Sequence, residues 1–100
     1  MLTKNRFVWI ENKSIHFVKF SISYTDSPEK IIQETDPIPF YASKKLYIPD
    51  DNKSIDVSVY FLENGLEWKQ IFSKTFNRQG DIGLDVFGPK SDPAYKDKEL

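Results

Sequence analysis

Hydrophobic and polar residues alternate through much of this chain, with the period of two that marks a strand buried on one face. Across residues 15–24, His16, Val18, Phe20, Ile22 and Tyr24 share one side, while Phe17, Lys19, Ser21 and Ser23 share the other. Residues 54–62 repeat the pattern, with Ile55, Val57, Val59 and Phe61 set against Asp56, Ser58, Tyr60 and Leu62. A third run sets Leu66, Trp68, Phe72 and Phe76 against Glu67, Lys69, Ser73 and Thr75. Shorter apolar runs predict strands at 7–10, 44–48 and 81–87, the last with Ile82, Leu84 and Val86 inward. Glu29–Glu34 offers only Ile31 and Ile32 as apolar residues, so it reads as an edge strand or a connection.

Turn chemistry separates these runs. Glu11-Asn12-Lys13-Ser14, Asp26-Ser27-Pro28, Pro49-Asp50-Asp51-Asn52 and Asn77-Arg78-Gln79-Gly80 all favour turns. Asp36-Pro37-Ile38-Pro39 lacks ladder donors at both prolines and predicts a crossing between sheets or a stretch along an edge. Asn64-Gly65 between two alternating runs predicts a hairpin with a two-residue type I′ turn. Such a turn would set Phe61 opposite Trp68, Val59 opposite Gln70, Val57 opposite Phe72 and Ile55 opposite Lys74, burying Trp68 against Phe61. The predicted fold is all-β: an immunoglobulin-like antiparallel β-sandwich of about seven strands. Residues 1–88 form its single domain, and residues 89–100, rich in Lys, Ser, Asp, Pro and Glu, form a poorly ordered C-terminal tail.

Composition narrows the function classes. The chain has 100 residues, enough for one core, and its 14 basic and 15 acidic residues leave a net charge of −1. That balance supplies no field for nucleic acid, and no nucleic-acid partner is expected. With no cysteine there is no disulfide, thiolate metal site or cysteine nucleophile. His16 is the only histidine and sits in an apolar run, where packing explains it, and nothing in the sequence marks partners for a catalytic triad. Asp50, Asp51 and Asn52, joined by Asp26 or Asp81, carry oxygen ligands of the kind calcium takes, and the same residues are ordinary turn formers. Gly65, Gly80, Gly83 and Gly88 are isolated, so no phosphate-binding loop is present. The chain therefore reads as non-enzymatic, with no cofactor and no metal. The N-terminal apolar run is too short for a signal peptide, which by default implies a cytoplasmic location, with secretion by a signal-independent route left open.

Between Ile15 and Gly88 the chain has, in order, a strand ending in Tyr24, Lys45-Leu46-Tyr47-Ile48-Pro49, Glu63-Asn64-Gly65-Leu66-Glu67-Trp68 after an alternating strand, and a last strand ending in Phe87-Gly88. This order of features resembles the C-terminal β-sandwich of the cholesterol-dependent cytolysins, a family of bacterial pore-forming toxins. It implies a membrane-recognition domain in which Gly65, Leu66 and Trp68 correspond to part of a Trp-rich loop. The further tryptophans of that loop and the family's Thr-Leu pair are replaced here by other residues.

Two functional expectations follow. One is a binding module for a membrane, glycan or protein surface, with Trp9, Phe40, Tyr41 and Tyr95 as exposed aromatic contacts. The other is an accessory protein that self-associates or binds a partner through sheet edges, at residues 7–10 or Glu29–Glu34.

Overall fold

The structure is a computed structural model that describes residues 5–26, 28–49, 54–63, 65, 67–77, 80–88 and 92–98. Among these the chain forms eight strands: β1 (Asn5–Asn12), β2 (Val18–Asp26), β3 (Glu29–Glu34), β4 (Ser43–Pro49), β5 (Ile55–Glu63), β6 (Glu67–Phe76), β7 (Ile82–Phe87) and β8 (Ala94–Asp97). They make a two-sheet sandwich, with orders β4-β1-β7-β8 and β3-β2-β5-β6. No helix among the described residues is long and apolar enough to cross a membrane.

The period-two pattern sets which side chains meet between the sheets. Val8, Ile10, Ile48, Ile82, Leu84 and Val86 come from one sheet, and Val18, Phe20, Ile22, Ile55, Val57, Val59 and Phe61 from the other, all fully enclosed. Each such side chain contributes roughly 1.5–3 kcal/mol of hydrophobic stabilisation. Sheet order then explains why the period is cleanest in β2 and β5, which lie at the centre of their sheet with a neighbour on both sides.

Four features depart from the sequence reading. First, β1 lies between β4 and β7, pairing antiparallel with one and parallel with the other, so its sheet is mixed and residues 7–10 are not an edge. Second, the run at 15–24 becomes a strand only at Val18, because residues 13–17 belong to a hydrogen-bonded loop. Third, the hairpin register differs. Glu63 pairs with Glu67, leaving three residues in the loop, and a β-bulge between Val59 and Tyr60 shifts the ladder again. Leu62 therefore pairs with Trp68, Phe61 with Lys69 and Val59 with Phe72. Gly65 does have the positive φ of +73° expected in the turn, while Asn64 and Leu66 lie outside the described residues. Trp68 consequently shares the outer face with Leu62, and Phe61 enters the core without it.

The fourth departure is β8, in the segment expected to be a poorly ordered tail. It pairs antiparallel with β7, and Tyr95 stacks on Phe72 of the opposite sheet at 4.2 Å between ring centroids. Composition hides this strand because its fastening is polar. Lys98, just past β8, donates from Nζ to Glu11 Oε1 at 2.8 Å and Asp85 Oδ1 at 2.6 Å, and its ammonium lies 4.5 Å from the Trp9 ring centroid. A charge network can hold what a short apolar segment would not.

This latch has a pH signature. Hydrogen bonds from Lys98 and then Lys13 hold the Glu11 carboxyl below its ordinary range. For Lys98, burial favours the neutral amine, and the hydrogen bonds to Asp85 and Glu11 outweigh it, so its pKa rises. The depressed Glu11 pKa gives stability that is present above the ordinary glutamate value and is lost as pH falls through the folded value. The raised Lys98 pKa gives stability that is present below the ordinary lysine value and is lost as pH climbs through the folded value. Amide exchange should therefore show β8 protected at neutral pH and released toward both extremes. In Lys98→Met, protection of the β8 amides at neutral pH should fall roughly fivefold, with the β2 and β5 amides unchanged.

Candidate functional site

Strand directions send the β1–β2, β3–β4, β5–β6 and β7–β8 connections to one end of the sandwich. Glu11 pairs with Ser43, Asn12 with Val86, and Val18 with Phe61, so the ends of β1, β5 and β7 and the starts of β2 and β4 are neighbours there. Two of these loops are fastened together by one buried side chain. Asn12 donates from Nδ2 to the carbonyls of His16 (2.6 Å) and Ile38 (3.0 Å). Its Oδ1 accepts from the Ser14 amide at 2.9 Å and the Ser14 hydroxyl at 2.6 Å. Its backbone takes part as well, since the Asn12 amide donates to Ala42 O and the Tyr41 amide donates to Asn12 O. Both amide protons and the amide oxygen are thus satisfied inside the protein, as a fully buried Asn requires.

Sequence chemistry shapes each loop around this node. In residues 13–17, Ser14 is buried and its hydroxyl also accepts from the His16 amide at 3.1 Å, which coils the segment tightly. His16 packs its ring against Phe61 at 5.4 Å, so the lone histidine is a packing residue with no carboxylate partner among the contacts described. In residues 35–42, the flanking prolines keep the chain extended while Ile38 turns into the core and exchanges two backbone bonds with Val18. The chain then turns back through Phe40 and Tyr41, closed by a bond from the Ala42 amide to Pro39 O.

The turn carries a backbone cost. Tyr41 has φ +62°, a conformation in which side chains other than those of Gly, Asn and Asp are uncommon. The bulky residue in that position points outward and is 67% exposed, beside Phe40 at 59%. The two rings meet edge to face with centroids 5.8 Å apart. On the neighbouring loop Ile15 is 77% exposed and Phe17 is 47% exposed. Four large apolar side chains therefore project from one end of the sandwich, on loops whose backbones are rigidly tied.

This fold resembles that of the membrane-binding domain of a cytolysin. The structure superposes on suilysin from Streptococcus suis with a TM-score of 0.67 at 14% identity, covering 98% of this chain and 24% of the toxin. Against intermedilysin solved with human CD59 the TM-score is 0.68 at 15% identity, covering 98% of this chain and 25% of that one. The membrane-binding domain of pneumolysin gives 0.68 at 10% identity, and there the match spans 97% of this chain and 98% of the domain. The chain thus spans about a quarter of the whole toxins and nearly all of the isolated domain. No family model matches the sequence, and no curated protein matches it. The resemblance stated from sequence order is present in three dimensions at identities where fold alone is comparable.

The aromatic residues singled out in the sequence occupy three places. Phe40 and Tyr41 are together at the loop end. Trp9 lies on the outer face of its sheet, with the Lys45 ammonium 5.2 Å and the Lys98 ammonium 4.5 Å from its ring. Tyr95 is at the flank, stacked on Phe72. Of the cytolysin-like motif, Gly65 turns the β5–β6 loop, Leu66 lies outside the described residues, and Trp68 is half-buried beneath the Lys19 ammonium at 4.8 Å. Sequence reasoning missed Ile15 and Phe17. Their signal was present, since they follow a turn-forming stretch immediately, but the alternation carried the strand reading through them.

Asp50, Asp51 and Asn52 lie outside the described residues, and the Asp81 carboxylate accepts from the Phe7 amide at 3.0 Å. Among the described residues no group of three His, Cys, Asp or Glu is placed to hold a metal.

The node makes a direct prediction. Asn12→Leu takes the acceptor from the Ser14 amide and leaves the His16 and Ile38 carbonyls with one partner each, the Ser14 hydroxyl and the Val18 amide, and should cost about 2–4 kcal/mol in denaturant unfolding. A loss under about 1 kcal/mol would mean that the loops hold themselves without Asn12.

Proposed function

We propose that this chain is a non-enzymatic binding module that seats its loop end on a lipid membrane surface. The observation that carries the reading is the exposure of Ile15, Phe17, Phe40 and Tyr41 on two loops that meet at Asn12 at one end of the sandwich. Exposed apolar side chains gathered at one place on a small domain mark an interaction surface, whereas the same residues scattered singly would not. The rigid backing matters equally. A loop already held in its bound shape loses little conformational entropy on docking, so more of the apolar burial appears as affinity.

A lipid surface fits the geometry better than a deep ligand site, because the four side chains are all exposed to solvent. The likeness to the membrane-binding domain of pneumolysin supports the same occupant. Glycan and protein surfaces are alternatives that vesicle binding distinguishes.

Co-sedimentation with phosphatidylcholine vesicles, prepared with and without cholesterol, tests the reading. Binding is expected to at least one composition, and Phe40→Asp should weaken it at least about tenfold by losing a buried ring and adding a charge. Absence of binding to both compositions overturns the membrane reading.

Tyr41 provides a sharper arm. Tyr41→Gly relieves the positive φ, so thermal stability should hold or rise, while vesicle affinity drops through loss of the exposed ring. A variant that gains stability and keeps full affinity would show that Tyr41 is not a contact residue.

A further inference from the structure

The open edge of β3 is self-complementary, and we propose that two copies of this chain pair antiparallel along it, about a two-fold axis through Ile32. The proposal is independent of the loop end and rests on the hydrogen-bond parity of the edge together with its charge pattern.

Parity comes first. The amide of Thr35, just past β3, donates to Phe20 O at 3.0 Å. Hydrogen-bonded and non-bonded pairs alternate along an antiparallel ladder. With Glu34 opposite Ser21 and Ile32 opposite Ser23, the backbone groups of Glu29, Ile31 and Gln33 turn toward β2. Those of Lys30, Ile32 and Glu34 turn toward the open edge. A second copy can therefore bond only to these three, and registers that set Ile31 opposite Ile32 are excluded.

Charge then selects among the allowed registers. An axis at Ile32 places Ile32 opposite its own copy, and Lys30 opposite the copy's Glu34 on both sides of the axis. All three side chains are exposed on the outer face, Ile32 at 67%. Glu34 already receives Lys19 at 2.7 Å from the same face, so a second ammonium from across the interface extends an existing ion pair. Moving the axis by one residue would set Ile32 against Lys30 or against Glu34.

The other edges are less open. β6 carries the register shift of its bulge, and β8 is four residues long. On β4 the outward carbonyl of Tyr47 is taken by Gln33 Nε2 at 3.0 Å. β3 has neither a bulge nor an internal proline.

The resulting dimer has one continuous sheet running through both copies. Sedimentation of the full chain across a concentration series should show a monomer–dimer equilibrium. Ile32→Pro removes an amide that points away from β2, so it should leave the monomer folded and abolish the dimer. Lys30→Glu sets like charges opposite each other twice and should weaken association about tenfold. Adding Glu34→Lys together with Lys19→Glu to that variant restores opposite charges across the axis, keeps the pair between positions 19 and 34, and should recover the dimer, whether or not the proline variant folds. A wild-type chain that stays monomeric at its highest soluble concentration overturns the proposal. So does a dimer unaffected by Lys30→Glu, or one that the triple exchange fails to recover.

Discussion

A fully buried asparagine must have its donors and acceptor satisfied by the protein, and in this fold that requirement falls on Asn12. The carbonyls and hydroxyl that satisfy it belong to segments far apart in sequence: Ser14 and His16 from one loop, and Ile38 from another. Neither loop has regular structure of its own, and neither could hold four exposed apolar side chains in a defined arrangement unaided. The node converts two irregular connections into one rigid end. The strained backbone at Tyr41 is held in the same way, because the Tyr41 amide donates to Asn12 O at 2.6 Å.

Much of the sandwich was legible because alternation is a local signal with a direct cause. Val18, Phe20 and Ile22 face inward because every second side chain on a strand must, and no knowledge of partners is needed to see it. Register is different. The Asn64-Gly65 pair announces a turn, but whether the loop holds two residues or three depends on which pairing the whole hairpin prefers. Here the three-residue loop sends Trp68 outward, and the bulge at Val59 and Tyr60 then returns Phe72 and Phe76 to the inner side. An alternating pattern cannot reveal a bulge that restores its own phase. The β1–β7 pairing was hidden for a related reason: both strands are rich in inward apolar residues, and nothing local says that they run parallel.

The loop end was half legible. Phe40 and Tyr41 stood among the aromatics expected to be exposed, directly after a stretch whose prolines bar a central strand, whereas Ile15 and Phe17 were absorbed into the run that follows. What removes them from that strand is Asn12, a residue that reads locally as an ordinary turn former. Its role exists only when the β3–β4 connection arrives to share it. β8 escaped in the same manner, since the partners of Lys98, Glu11 and Asp85, stand 87 and 13 residues away in sequence. Polar fastenings between distant segments carry no periodic signature, and they account for most of what composition misjudged.

The two surfaces of the sandwich impose a constraint on each other. An antiparallel pairing through β3 turns the second copy end for end, so the loop ends of the two chains point in opposite directions along the shared sheet. Such a dimer can set one loop end on a flat surface while the other faces away, or it can bridge two surfaces, but it cannot place both on one. The geometry follows from strand direction alone and does not depend on side-chain detail. Pairing of β3 and docking of both loop ends on one membrane are therefore mutually exclusive within a rigid dimer, and association at the edge sets the number of loop ends that a single surface can receive.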